Sequence, residues 1–230
     1  SLLHAPRLRD SGTRAMNGRR HRKGTPATLF LLGAILIAFG IEMAKGAANN
    51  SAALYDLGAI ASWSYLRDNG EYWRLITAMF LHGGVVHLAL NVFSLWQVGS
   101  LYEVMFGTRR FVFIYFLAGI AASTTSMLQL PLDRVSVGAS GAIFGIVGAF
   151  VTSVLRSPVW RRERSARSLV VQCVLLVAAN IMVGMRIEQI DNAAHIGGLV
   201  AGLLLGAVLP HQRLPPPSPQ RVIDVQPYEG

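Results

Sequence analysis

The chain holds a single cysteine, Cys173. No internal disulfide can form from it, and no cysteine cluster exists to hold a metal. It stands among Val and Leu, where a thiol serves as a small apolar side chain. Charge is thin as well: 14% of residues are charged, against about a quarter in an ordinary soluble domain. Acids are the scarcest part of that, with 12 Asp and Glu against 21 Lys and Arg. Residues 1–26 carry seven basic side chains and one acid, Asp10, but no apolar run, which excludes a secretory signal peptide there. A solvated cytosolic tail is the expectation for 1–26. A transit peptide, also Arg-rich and acid-poor, is the alternative.

What the chain has in quantity is apolar residue, 52% of the whole. It is gathered into blocks of 17 to 22 residues, the length that crosses roughly 30 Å of hydrocarbon at about 1.5 Å per residue. Six spans are read, at 27–44, 85–106, 111–130, 139–155, 169–185 and 193–209. The domain reading is therefore a basic tail (1–26), a six-span domain (27–209) and a Pro-rich disordered tail (210–230), which has Pro215, Pro216 and Pro217 and too little apolar content to fold. The long connection 45–84 carries Trp63, Tyr65, Tyr72 and Trp73, which suit a membrane interface.

The net charge of +9 is distributed between spans and does not form a nucleic-acid face. Only Lys45, Arg67, Arg74, Arg134 and Arg186 lie on one side of the six-span topology, and the other 16 of 21 lie on the opposite side. The positive-inside rule then places both termini in the cytosol. The expectation is a multi-pass protein of a bacterial plasma membrane, with no nucleic-acid partner.

Polar side chains inside apolar spans are costly, so each is a functional candidate. His87 and Asn91 stand near the start of the second span, Ser140 opens the fourth and His195 opens the sixth. In this topology those three spans begin on the same side, so the four residues share one depth on three helices. A serine, a histidine and two further hydrogen-bonding groups are the parts acyl transfer requires.

Ser140 lies in Gly138-Ala139-Ser140-Gly141-Ala142, which lacks the second glycine of the soluble hydrolase elbow. At a helix N-terminus it would meet unpaired N–H groups and a dipole that favours developing negative charge. A capping or packing serine fits the same segment. His195 begins a run in which Gly202 and Gly206 fall within about 20° of its line along the helix. Gly198-x-x-x-Gly202-x-x-x-Gly206 is a close-packing surface, and Gly141, Gly145 and Gly148 offer another beside Ser140. A histidine bonded to a carbonyl in a packed bundle is the plainer alternative.

His87 and Asn91, four apart, share a helix face and can both donate to an oxyanion. Equally, they could bond each other or the loop. His82 and His87, five apart, are poorly placed as ligands on one helix, and no metal is expected, a haem between histidines being the residual alternative. Glu103 lies at the far end of its span and Asp191 in a loop, so a Ser–His dyad is simpler than a triad.

Together, Gly138-Ala139-Ser140-Gly141, His87-x-x-x-Asn91 and Ala194-His195-x-x-Gly198-x-x-x-Gly202 resemble the rhomboid intramembrane proteases. Trp73-Arg74, and Glu103 with Gly107 and Arg110, match further signatures, in order, across residues 30–210. The resemblance implies an all-α polytopic fold, a six-transmembrane-helix bundle with the serine helix at its centre, and no cofactor. It implies Ser140 as nucleophile and His195 as base, with the Ser140 N–H, His87 and Asn91 lining the oxyanion hole. It gives buried His82 a structural role and lets Trp73-Arg74 brace the first loop. Phe144 departs from the pattern, since relatives often place Tyr against the catalytic histidine.

The implied substrates are single-pass or polytopic membrane proteins, met within the lipid bilayer. Two other readings stand beside this one. One is a catalytically silent rhomboid-like protein that binds membrane clients, against which the presence of both Ser140 and His195 weighs. The other is a small transporter.

Overall fold

A computed structural model describes residues 24–158, 160–186 and 190–210. The tails expected at 1–26 and 210–230 lie outside the described residues except for 24–26 and 210. Among the described residues all regular structure is helical, save one isolated antiparallel pairing of Ile60 with Ser136.

Helix α1 (Pro26–Ala44) opens with a proline, whose missing N–H is no loss at that position. Its cap residue, Thr25, provides no side-chain bond. Glu103 does so from a neighbouring helix: its carboxylate accepts from the backbone N–H of Ala27 (3.0 Å) and Thr28 (2.8 Å) and from the Thr28 hydroxyl (2.7 Å). A carboxylate at a helix N-terminus is favoured by the dipole as well.

The first connection is folded, with α2 (Ser51–Leu57), α3 (Trp63–Asn69) and α4 (Arg74–Thr77). Arg74, only 3% exposed, holds it together. Its Nε donates to Glu71 at 2.8 Å, and its Nη1 donates to the carbonyls of Tyr55 and Ala59. The guanidinium lies 3.7 Å above the Tyr55 ring and 4.6 Å from that of Trp73. The Tyr55 hydroxyl closes the ring of contacts by donating to Glu71 at 2.6 Å. The Arg74 guanidinium, then the Tyr55 hydroxyl, hold the Glu71 carboxyl below the usual carboxylate range, while burial first and Glu71 second push the Tyr55 hydroxyl up.

Helix α5 (Val85–Ser94) runs through one π turn, Leu95–Gly99, into α6 (Ser100–Phe106), making a continuous 22-residue rod. After Gly107 come α7 (Thr108–Gln129), α8 (Ser140–Arg156), α9 (Arg164–Gly184) and α10 (Asn192–Val208). Every apolar block of the sequence is thus a helix. The largest shift is at α9, which begins at Arg164 and takes in basic residues assigned to the preceding loop.

Four of these rods are long and apolar enough to cross a membrane: Pro26–Ala44, Val85–Phe106, Thr108–Gln129 and Arg164–Gly184. The other two, α8 and α10, have 17 residues each. At about 1.5 Å per residue they extend about 25 Å, short of a 30 Å hydrocarbon core.

Helix α8 is the axis of the molecule, with Gly141 through Phe150 buried without interruption. Helices α7 and α10 flank it. The α8–α10 contact is backbone against backbone: a Cβ added to Gly198 or Gly202 would land on the carbonyl of Gly141 or Gly145. Tyr102 of α6, Phe111, Ile114 and Tyr115 of α7 and Ile146 and Phe150 of α8 belong to one buried apolar cluster. Helix α9 is peripheral: only Ala166 in it is buried, while Val174, Leu175, Met182 and Val183 face outwards. With Phe30 and Ile37 on α1 and Val86 and Leu90 on α5, they make an apolar girdle that suits lipid and not water.

Candidate active site

Ser140 is the first residue of α8, and the cap position before it belongs to Ala139, which offers no capping bond. The first-turn N–H groups of a helix have no intrahelical partners, so this end presents open donors around the serine. The serine is therefore not a cap. Its hydroxyl stands 2.9 Å from His195 Nε2.

His195 lies in the first turn of α10 and is 7% exposed. Its ring stacks on Phe144, one turn along α8 from Ser140, with centroids 4.3 Å apart and planes within 6°. The stack fixes the plane of the imidazole without any hydroxyl, so the Phe in place of Tyr keeps that contact. Nδ1 is buried with no hydrogen-bond partner among the described residues, so no carboxylate there bonds to that nitrogen.

The turn into α8 requires Gly138. Its φ of 128° is one that L side chains rarely adopt, and a Cβ there would stand 2.8 Å from His87 Nε2 and 3.7 Å from Ser140 Oγ. The His87 ring accordingly rests against the backbone just before the serine. Asn91, 4% exposed, turns its amide to the backbone carbonyl of His87 (2.9 Å), and its Oδ1 is buried without a partner. One of its two amide hydrogens remains for another acceptor. His87 and Asn91 therefore do not bond each other ring to amide, and both line the same cavity as Ser140 and His195. That cavity has a volume of about 1080 Å³, and residues of α5, α9 and the 130–138 segment are among those that line it.

His82 is fully buried, its ring edge-on to His87 at 5.2 Å, and its backbone N–H donates to the Glu42 carboxylate at 3.0 and 3.2 Å. It sits behind the cavity wall. Trp73 and Arg74 lie in the braced first connection, away from the serine. Gly141, Gly198 and Gly202 form the α8–α10 seam below the dyad.

Sequence reasoning leaves Asp191 as a loop residue. In the structure it caps α10, accepting from Ala194 N–H at 2.9 Å, and also accepts the hydroxyls of Ser126 and Ser136. The preference for Asp directly before a helix is the signal that could have found it. Glu103 and Arg110 likewise fasten the other end of the bundle, Arg110 donating to the Tyr102 hydroxyl (3.1 Å) and the Pro210 carbonyl (2.8 Å).

Comparison with known proteins gives the family. A family model described as the Rhomboid domain matches residues 69–212. The chain is 38% identical over 187 residues to Rhomboid protease GluP of Bacillus subtilis (strain 168), covering 81% of this chain and 35% of that protein. It is 38% identical over 160 residues to RHOMBOID-like protein 6, mitochondrial, of Arabidopsis thaliana, covering 70% and 50% respectively. It is 39% identical over 145 residues to RHOMBOID-like protein 5 of the same plant, covering 63% and 46%. The chain thus spans between about a third and half of the length of these curated relatives. The apolar helices and these likenesses describe a multi-pass membrane protein. With the match taking in the helices that carry Ser140 and His195, the chain belongs to the rhomboid family.

Proposed function

We propose that the chain is an intramembrane serine endopeptidase that hydrolyses peptide bonds in or next to transmembrane helices of membrane-protein substrates. The observation that carries this reading is the 2.9 Å approach of Ser140 Oγ to His195 Nε2 in a largely buried, cavity-lining pair. The name protease attached to the Bacillus relative points the same way.

Ser140 Oγ attacks the scissile carbonyl carbon while its proton passes to His195 Nε2. The carbonyl oxygen becomes an oxyanion, stabilised by the Ser140 N–H at the start of α8 and by donors from His87 and Asn91. The C–N bond then breaks as the imidazolium returns its proton to the leaving amine. Water, deprotonated by the same nitrogen, repeats the sequence on the acyl-enzyme and frees the acid.

The backbone carbonyls of an intact helix are engaged in its own hydrogen bonds. A transmembrane substrate must therefore unwind locally before its carbonyl meets Ser140. Helices α8 and α10 are shorter than the hydrocarbon core, which suits a serine recessed below the outer surface and reached by water through the cavity. Both termini lie in the cytosol in this reading, and the membrane is a bacterial plasma membrane.

The test is cleavage of a transmembrane reporter in proteoliposomes. Ser140→Ala and His195→Ala should each abolish it, and the double variant should be no worse than either, because the two act as one unit. Residual cleavage by Ser140→Ala above background would remove the dyad.

A further inference from the structure

Asp191 and Ser136 occupy equivalent places in the two limbs of the site. Asp191 lies four residues before His195, and Ser136 lies four residues before Ser140. They meet directly, Ser136 Oγ donating to Asp191 Oδ2 at 2.6 Å. The same oxygen accepts the Ser126 hydroxyl from the end of α7, while Oδ1 accepts the Ala194 N–H at the head of α10. We infer that Asp191 is a positioning residue, whose carboxylate sets how far Ser140 stands from His195 along the bundle axis. This rests on the dyad reading above.

The need for such a group follows from the α8–α10 seam. Its contacts are glycine on glycine, at Gly141 with Gly198 and Gly145 with Gly202. Such a surface lets the helices approach closely. At its far end Arg156 of α8 donates to the Gly206 and Leu209 carbonyls of α10 (2.9 and 3.1 Å), while at the dyad end the glycines themselves offer little to oppose sliding along the axis. A slide of about 1 Å would break the Ser140–His195 contact, and displacements of that size cost on the order of 100-fold in rate.

The carboxylate supplies a stop at the dyad end. Ser136 is itself anchored: it exchanges two backbone bonds with Ile60 (2.9 and 3.0 Å), and Gly138 N–H donates to Ala78 at 2.9 Å. The head of α10 is thereby tied to a fixed point on the path into α8. Few side chains could do this. One N–H and two hydroxyl donors call for two acceptor oxygens on a short stem, which Asp provides. Asp191 makes no bond to the His195 ring, whose Nδ1 has no partner among the described residues; its charge also faces the imidazole, and Asp191→Asn separates that effect from position.

The experiment measures kcat and KM for a transmembrane reporter, with the full chain in proteoliposomes, for Asp191→Ala, Asp191→Asn, Ser136→Ala and the Asp191→Ala/Ser136→Ala double variant. Asp191→Ala should lower kcat by about 10- to 100-fold with KM within about twofold. Asp191→Asn should keep kcat within about threefold of wild type, because its carbonyl still caps Ala194 and its NH₂ can donate to both serine oxygens. The double variant should be no slower than Asp191→Ala alone, since both changes remove one link.

Wild-type kcat in folded Asp191→Ala, or an Asp191→Asn as slow as Asp191→Ala, overturns the proposal, the second outcome because it makes charge and not geometry the cause. If Asp191→Ala fails to fold, Ser136→Ala decides: a lowered kcat at unchanged KM upholds the link, and wild-type kcat overturns it. A Ser140→Ala control in the same assay separates the two readings. If it cleaves, the dyad itself falls. If it is silent while Asp191→Ala keeps full kcat, only the positioning role is lost.

Discussion

In the proposed mechanism Ser140 owes its chemistry to its neighbours. As the first helical residue it surrenders the cap position to Ala139, and its hydroxyl turns to His195 instead of its own backbone. Phe144 supplies the flat surface that orients the imidazole. His87 and Asn91 line the same cavity and carry the hydrogens an oxyanion needs. Loss of one such donor typically costs about 10²–10³ in turnover. His87→Ala and Asn91→Ala should therefore each lower kcat far more than they raise KM, with Asn91→Ala the milder where the backbone N–H covers for it. Reporter kinetics in detergent or liposomes check this; unchanged kcat in both single variants and in the pair would place the two residues outside the mechanism.

At the scale of elements, the decisive feature is the seam between α8 and α10. Gly202 lies two turns deeper than His195 and carries no functional group, yet a Cβ there would collide with the Gly145 carbonyl. Backbone cannot move aside as a flexible side chain does. Gly202→Val should wedge the helices apart and suppress cleavage with every proposed catalytic residue still in place. Gly202→Ala should be milder in extent, though it too meets that carbonyl. Leu203, 37% exposed, is the control position, and Leu203→Val should cleave near the wild-type rate. Each variant is first shown to insert and to elute as folded protein. Wild-type cleavage by folded Gly202→Val would deny the seam its role in holding Ser140 to His195.

For the molecule as a whole, the proposed orientation of the bundle rests on the asymmetry of charge. Sixteen of 21 Lys and Arg fall on the side of the 156–168 loop, five on the side of the first connection. That difference orients a multi-pass protein strongly. In a Cys173→Ala background, Asp68→Cys on α3 should react with a membrane-impermeant maleimide added to intact cells. Arg162→Cys should react only after permeabilisation. The reverse pattern would invert the topology and put Ser140 and His195 at the cytosolic face.

Much of this molecule is legible in one dimension because lipid imposes a one-dimensional rule: a buried backbone must satisfy itself, so an apolar block of sufficient length is a helix. The helical apolar blocks, the basic asymmetry and the two glycine faces all follow from composition and spacing. The expected grouping of His87, Asn91, Ser140 and His195 also follows, since helical rise converts position along the chain into height, and the four do line one cavity.

Height alone does not decide contact. Which side chains touch across helices depends on rotation and axial offset, and these are outcomes of packing between segments more than 50 residues apart. Only the tertiary structure shows that Ala139 rather than Ser140 occupies the cap, and that Asn91 turns to its own helix. Only there does Glu103 cap α1 across 75 residues, and Asp191 tie the approach to Ser140 to the head of the helix that bears His195. A carboxylate looks much the same in any loop of a sequence. Its partners are other groups that have lost water, and which groups those are is settled only when the helices meet.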